Sequence, residues 1–353
     1  MSGRPEEYAG PRWTDDHLDS PFPPEIKEPY FDDRLGAWIL SRYADVSTAF
    51  RRPDLIPTGA KGGANNTMAD KTAQMKMRAE TKTALSPKHL REWQKILAPH
   101  VGTLVQGMPA GKSVDLVADF AHPACRVLAV AITGADPDDA ERLEKLALHV
   151  SAAAAEPFNP EIGERAKAAN TQLRPCFHSG PESLRDSGFV ALTHTLPCLL
   201  ANAWFALLGH PPSWKRLHKQ PTLLPQAVEE LLRYAGLTRL LFRRAGENID
   251  LNGIQIRKGE RVILRITVAN RDTSHFPHPH HLDWAHQGKG HLTLGGGLHS
   301  CVGANLTRMA VITITRPLLE RFARAEITGT VEWRGGPVFR APAILPVVLH
   351  EES

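Results

Sequence analysis

Cysteine is scarce in this chain: four in 353 residues, standing far apart at Cys125, Cys176, Cys198 and Cys301. No two have the close spacing of a zinc knuckle, and so few in so long a chain do not make a disulfide scaffold, so all four are expected to be reduced. From Met1 to Pro23 no apolar run reaches the length of a signal peptide or membrane anchor, so a soluble, cytoplasmic protein with no membrane partner is expected. Charge of one sign is also lacking. The 42 Lys and Arg against 38 Asp and Glu leave only +4, scattered along the chain, which argues against nucleic acid as a partner. Internal repeats and low-complexity tracts are absent, so a solenoid is not expected.

What the chain does have is an ordinary globular composition, 42% hydrophobic and 23% charged, on a length sufficient to enclose a cofactor. Residues 37–43 have strand character and 44–52 that of a short helix, while the Gly-, Pro- and Asn-rich stretch 53–68 reads as a loop. Helical periodicity then dominates, over 71–85, 87–108, 115–133, 137–155, 160–177, 182–208 and 227–234. Strand signals return in a hairpin at 248–256, with 261–266 expected beside it, and in a β-rich unit at 332–349 that follows a helix starting near Cys301. The expected fold is mainly α with small β-sheets, a single domain over 1–353 that is β-rich at about 25–45, 240–267 and 330–350.

A glycine-rich loop, Leu294-Gly295-Gly296-Gly297-Leu298-His299-Ser300-Cys301-Val302-Gly303, runs straight into an amphipathic stretch that opens at Ala304. Gly295, Gly297 and Gly303 allow φ > 0 and close approach of backbone to a flat group. The following helix points its positive end at the sulfur, a setting expected to lower the thiol pKa and favour the metal-binding thiolate. A lone cysteine beside a turn is ordinarily an inert core residue, and the other motifs decide against that reading here.

Upstream, Glu230 and Arg233 stand at i, i+3 on one helical face. Such pairs are common solvated salt bridges, so the weight rests on their order with Ala269-Asn270-Arg271-Asp272, Leu282-Asp283-Trp284 and the cysteine loop. The stretch from His275 to His281 carries four histidines and invites a zinc or copper reading, but its prolines suit an irregular surface loop better.

With these motifs in this order, the chain resembles the cytochrome P-450 family, haem-thiolate oxygenases, of the soluble bacterial kind. The cysteine loop matches the family's haem-ligand pattern except that Leu294 replaces a Phe. The resemblance implies haem b between a long central helix and the helix after Cys301, with Cys301 as axial thiolate. It also implies haem propionates held by Arg78, Arg243 and His299, with Gln74 where many relatives carry a histidine donor. Thr195 is implied as the distal threonine. Substrate contacts are implied from residues 57–68 and from Ala191, Leu237, Leu241, Ala343 and Ile344. An organic substrate and a ferredoxin- or flavodoxin-type electron donor complete the implied monooxygenase, with secondary metabolism as its setting.

The chain departs from the family in the central helix. Residues Ala191-Leu192-Thr193-His194-Thr195 stand where relatives have Ala-Gly-x-acid-Thr, so His194 replaces the acid and Leu192 the small residue that leaves room for dioxygen. His194 is expected either to relay protons or to face another helix. Pro197 is expected to bend the helix. His286 stands where the family's meander supplies an Arg, which is expected to leave Glu230 and Arg233 less fully bonded. The chain is also short between Phe177 and Glu182. These changes keep two alternatives open: a peroxide-driven peroxygenase, and a non-enzymatic haem sensor or carrier.

Overall fold

The computed structural model describes residues 28–58, 68–177, 180–284, 290–297 and 300–352. Within them, helices form the body and short strands form four small sheets, as the periodicity implies. The N-terminal part contains β1 (Tyr30–Asp32), β2 (Ala37–Leu40), α1 (Tyr43–Arg51) and β3 (Leu55–Pro57). The strand β3 lies inside the stretch expected to be loop. Its ends pair with Ala245 and Arg243 of β5 (Leu240–Ala245), a non-local partner that a local reading misses.

The helical body comprises α2 (Met68–Ala84), α3 (Pro87–Gly107), α4 (His122–Thr133), α5 (Ala140–Ala155), α6 (Pro160–Leu173), α7 (Arg185–Val190), α8 (Leu196–Leu208), α9 (Pro211–Lys219) and α10 (Leu224–Tyr234). Between α3 and α4 lies β4 (Ser113–Asp115), followed by a π-helical turn over Leu116–Ala121. A second π turn, Ala191–Thr195, joins α7 to α8. The perturbation expected at Pro197 takes this form. The N–H of Leu196 bonds back five residues to Ala191, and the ring of Pro197 then sits in the first turn of α8, where no donor is required.

The helix α8 buries eleven of its thirteen residues, because it is apolar on every side and runs through the largest core. By length and composition, the stretches 116–133 and 182–208 are apolar enough to cross a membrane, yet both are mostly buried inside the protein. The short connection from α6 to α7 passes Gly180, at φ +78, where an added Cβ would lie 2.7 Å from the Ile132 carbonyl oxygen.

The hairpin is β6 (Ile249–Leu251) with β7 (Ile254–Ile256). The strand β8 (Arg261–Arg265) is not its neighbour as expected. It pairs in parallel with β2 and antiparallel with β5, giving the order β1-β2-β8-β5-β3. Alternation along β5 and β8 separates a small core of Val262, Leu264 and Ile266 from another of Leu240, Phe242 and Ile263. After the short α11 (Ile266–Ala269) and α12 (Ala304–Arg321), the chain ends in β9 (Arg324–Ile327), β10 (Glu332–Gly335), β11 (Arg340–Ile344) and β12 (Pro346–His350). Here β12 lies between β4 and β9, while β10 pairs with β11.

Candidate active site

The helices α8 and α12 are fastened to each other late in both, where Trp204 Nε1 donates to Thr315 Oγ1 at 3.1 Å. Upstream of that contact each has open positions, set among buried neighbours in 191–200 and among half-buried ones in 301–309. On one side Ala191 is exposed and Thr195 and Cys198 are half-buried; on the other, Cys301 and Asn305 are exposed and Met309 is half-buried. Asn305 and Met309, at i, i+4, share a face of α12 that continues from Cys301, while Ala191 and Thr195 lie in the π turn that leads into α8. Leu192 does not intrude there. It is 5% exposed and packs into the helical core, so the space expected to be lost to it stays clear.

The cysteine loop is shaped by two left-handed glycines, Gly295 at φ +70 and Gly297 at φ +56. At Gly297 an added Cβ would lie 2.9 Å from the Phe50 carbonyl oxygen, so only glycine fits between the loop and α1. Gly303 differs from expectation. Its φ is −84, and its task is to start α12 and donate its N–H toward the Cys301 sulfur. The Cys301 N–H in turn donates to the Leu294 carbonyl at 2.6 Å, closing the loop on itself.

Cys301 opens to solvent yet lies deep enough that burial pushes its thiol pKa up, with the Gly303 N–H, Arg78 and Arg308 pulling the other way. The expected lowering by the helix start is therefore outweighed. A metal bound here would favour the thiolate, since it displaces a coordinating thiol's proton outright.

Arg308, one of the residues the sequence reading missed, ties α12 to α10. Its Nε and NH2 donate to Glu229 at 2.5 and 2.9 Å, and His291 Nε2 lies 3.4 Å from the same carboxylate. These partners hold the Glu229 carboxyl down at about 2 against the opposing effect of burial. Its position seven residues after Cys301, two helical turns on, was the available signal.

Arg78 of α2 reaches the loop as well. It donates to the Ser300 carbonyl at 2.7 Å, so it supports the residue before Cys301 directly as well as facing the site. Arg243 is 5% exposed, and its described bond runs from NH1 to the neighbouring Phe242 carbonyl at 2.9 Å. Its Nε is buried without a partner, and desolvation takes its pKa down to about 10. A buried guanidinium in this state calls for an anion. A haem carboxylate supplies one, and Cys301 supplies a sulfur ligand, so the residues present fit haem. Gln74 lies one turn before Arg78 on α2, with its side chain outside the described residues, as are His299 and His286.

Glu230 and Arg233 are 4% and 2% exposed and join through two hydrogen bonds of 2.7 Å. The expected shortfall at this pair is not found at Arg233. All five of its N–H groups are used, since NH1 also donates to the Asn270 and Pro279 carbonyls and NH2 to that of His281. The Asp283 N–H donates to Glu230 as well. Backbone of the meander thus does what an Arg was expected to do. The histidines of that meander are not brought together as a metal centre: His275 stacks on Tyr43 at 3.5 Å, and no cluster of three ligating side chains occurs among the described residues.

His194 turns inward, toward α5. It is 5% exposed, its Nε2 lies 2.9 Å from the Glu144 carbonyl oxygen of α5, and burial takes its pKa down to about 4. Of the expected substrate contacts, Ala191, Ala343 and Ile344 are open or partly so, Leu241 packs partly on the small core beside β8, and Leu237 is buried in the helical core and presents no surface. Residues 59–67 of the expected contact loop lie outside the described residues.

A cysteine offered from a glycine loop at the head of a helix fits a haem-thiolate protein. Residues 206–333 match the Cytochrome P450 family model, a span that includes Glu230, Arg233 and Cys301. The chain is similar to nocardicin C N-oxygenase of Nocardia uniformis subsp. tsuyamanensis, 28% identical with 91% of each chain covered. It is also similar to vitamin D(3) 25-hydroxylase of Pseudonocardia autotrophica, 26% identical over 90% of this chain and 89% of that one. In fold it is similar to P450BioI, solved with a fatty-acid-ligated acyl carrier protein, at TM-score 0.81 and 23% identity, covering 89% of this chain and 92% of that one. The chain belongs to the cytochrome P450 superfamily. It is an oxidoreductase of the monooxygenase kind whose cofactor is haem b held by a cysteine thiolate.

Proposed function

We propose that the protein inserts one oxygen atom into a small or medium organic substrate, with Cys301 as the haem ligand and electrons from a ferredoxin- or flavodoxin-type donor. The observation that carries this reading is the exposed Cys301 at the end of its glycine loop, with Arg78 bonded to the residue before it and Arg243 buried with an unpartnered Nε. When bound, haem supplies activation of oxygen, and the cysteine sulfur pushes electron density toward the iron.

The chain's own residues do the rest. Gly303 and Arg308 face the sulfur with a donor and a positive charge, while Arg78, already bonded to the Ser300 carbonyl, and Arg243 would hold the haem carboxylates. The Thr195 hydroxyl offers a hydrogen-bond donor and acceptor on the distal side. Ala191, Ala343 and Ile344 give the substrate a small and apolar surface, which favours an apolar ligand. Arg78 and Lys82 lie at i, i+4 on α2, and with Arg308 they make the cysteine side basic, suited to an acidic redox partner in solution.

A second reading concerns the oxidant. The usual acid is missing, and His194 is neutral at neutral pH with its N–H committed to α5, which favours peroxide over dioxygen as the oxygen source. Turnover of a panel of apolar probe substrates, run once with a ferredoxin, its reductase and NADPH and once with hydrogen peroxide alone, tests both. Product only with the electron donor supports the monooxygenase route, product only with peroxide supports the second reading, and no product from either, in protein loaded with haem, contradicts both.

A further inference from the structure

Glu144 of α5 bonds in two directions, through its side chain and through its main chain. Its carboxylate accepts from His122 Nδ1 at 2.5 Å and from Arg126 Nε at 2.9 Å, both at the start of α4, while its main-chain carbonyl accepts from His194 Nε2 at 2.9 Å. Proton positions follow from the partners. Arg334 NH2 of β10 lies 3.4 Å from His122 Nε2, and a guanidinium only donates, so Nε2 accepts and His122 donates to Glu144 through Nδ1–H. A carbonyl only accepts, so His194 carries its proton on Nε2, and its Nδ1 is buried without a partner. His194 immediately precedes Thr195 in the π turn, and π turns recur where helices serve function. The far end of α5 meets the connection between β10 and β11, where the Ala155 carbonyl accepts from Val338 N–H, and Phe158, just beyond the helix, packs edge-on against Phe242 of β5 at 4.7 Å.

We infer that Glu144 and His194 are positioning residues that couple the placement of α5 to the π turn carrying Thr195. This rests on the reading of Thr195 as the distal alcohol. The His122 and Arg126 bonds fix Glu144 relative to α4, the Glu144 carbonyl fixes the His194 ring, and the ring fixes the turn. A substrate that displaces the end of α5 near Phe158 thereby shifts the Thr195 hydroxyl. His194 acts as a link between helices and not as a proton carrier.

The test uses the haem-loaded protein in three variants: His194→Leu, which removes the donor; His194→Gln, whose amide N–H reaches where Nε2 stands; and Glu144→Gln, which keeps shape but weakens the hold of His122 and Arg126. Hydrogen exchange of peptides spanning 140–150 and 189–197 is read by mass spectrometry, beside hydrogen peroxide released per NADPH consumed with a ferredoxin system. Coupling predicts that His194→Leu speeds exchange in both peptides by about two- to tenfold, the factor that loss of one net hydrogen bond allows. It predicts that His194→Gln restores wild-type exchange and low peroxide release. It also predicts that Glu144→Gln speeds exchange at 189–197, although its carboxylate does not touch that segment. Faster exchange in Glu144→Gln confined to α4 and α5 overturns the proposal, and so does a His194→Gln variant as perturbed as His194→Leu. If His194→Leu does not fold, Glu144→Gln carries the decision alone. The reduced carbon monoxide spectrum, recorded for each variant, reports separately on the haem-thiolate reading, because exchange coupling is measured without reference to it.

Discussion

Glu229 of α10 and Arg308 of α12 are joined by two hydrogen bonds, of 2.5 and 2.9 Å, and so bind the Glu230–Arg233 helix to the helix that Cys301 begins. The pair sits at the protein's edge, with 41% and 34% of the side chains exposed, so solvent screens much of its strength. Arg308→Ala is expected to lower the stability of the haem-loaded protein by only about 1 kcal/mol in urea unfolding. The larger effect falls on the site: removing a positive charge near the sulfur makes reduction of the haem harder, seen as a lower midpoint potential.

Acid stability divides into two windows. The His194 pKa falls from an ordinary 6.5 to about 4 on folding, so between those values the unfolded chain binds a proton that the folded protein refuses. Stability is therefore lost as pH falls from 6.5 toward 4, by on the order of 3 kcal/mol. The Glu229 carboxyl falls from 4.5 to about 2, so its contribution is present above 4.5 and is lost as pH falls toward 2. Urea unfolding against pH is expected to show both slopes, and His194→Gln to remove the one above pH 4 while leaving the one below it.

The buried Glu230–Arg233 pair has no such tolerance. Arg233 uses all five N–H groups, four of its bonds running to a carboxylate or to meander carbonyls through NH1 and NH2. Arg233→Lys retains the charge but strands several acceptors, and is expected to cost about 3–5 kcal/mol, read as a loss of folded, haem-loaded protein on expression and in urea unfolding.

Arg243 gives opposite signs with and without haem. In the protein free of haem its guanidinium is buried with an unpartnered Nε, so Arg243→Leu is expected to leave that form as stable or more so. Haem dissociation, followed by transfer to a scavenging globin, is expected to be faster by about tenfold or more, as a charge-assisted bond to a carboxylate is lost. A variant that loses stability in the haem-free form and keeps its haem contradicts the assignment.

Much of the site was legible because its signals are local. The glycine spacing before Cys301 and the i, i+3 spacing of Glu230 and Arg233 are properties of short segments, and the apolar run of 196–208 carries its helical pattern within itself. What sequence did not reveal depends on distant partners. The strand β3 exists because β5 lies beside it, and β8 leaves the hairpin for β2, pairings that no local pattern encodes. The helix α9 was missed because its start, Pro211-Pro212, reads as a breaker, whereas proline is tolerated in a first turn. His194 was legible as a replaced acid but not as a partner of α5, because the carbonyl it meets is fifty residues away. The network around Glu230 was expected to be short of partners because backbone carbonyls of the meander are invisible in a motif.

The central claim, ligation of haem iron by Cys301, is tested most directly by the absorption spectrum of the purified protein reduced with dithionite under carbon monoxide, beside that of Cys301→Ser. The account predicts a strongly red-shifted Soret band in the wild type that is lost in the variant. Haem that binds without that shift, or a shift that survives the loss of Cys301, contradicts it.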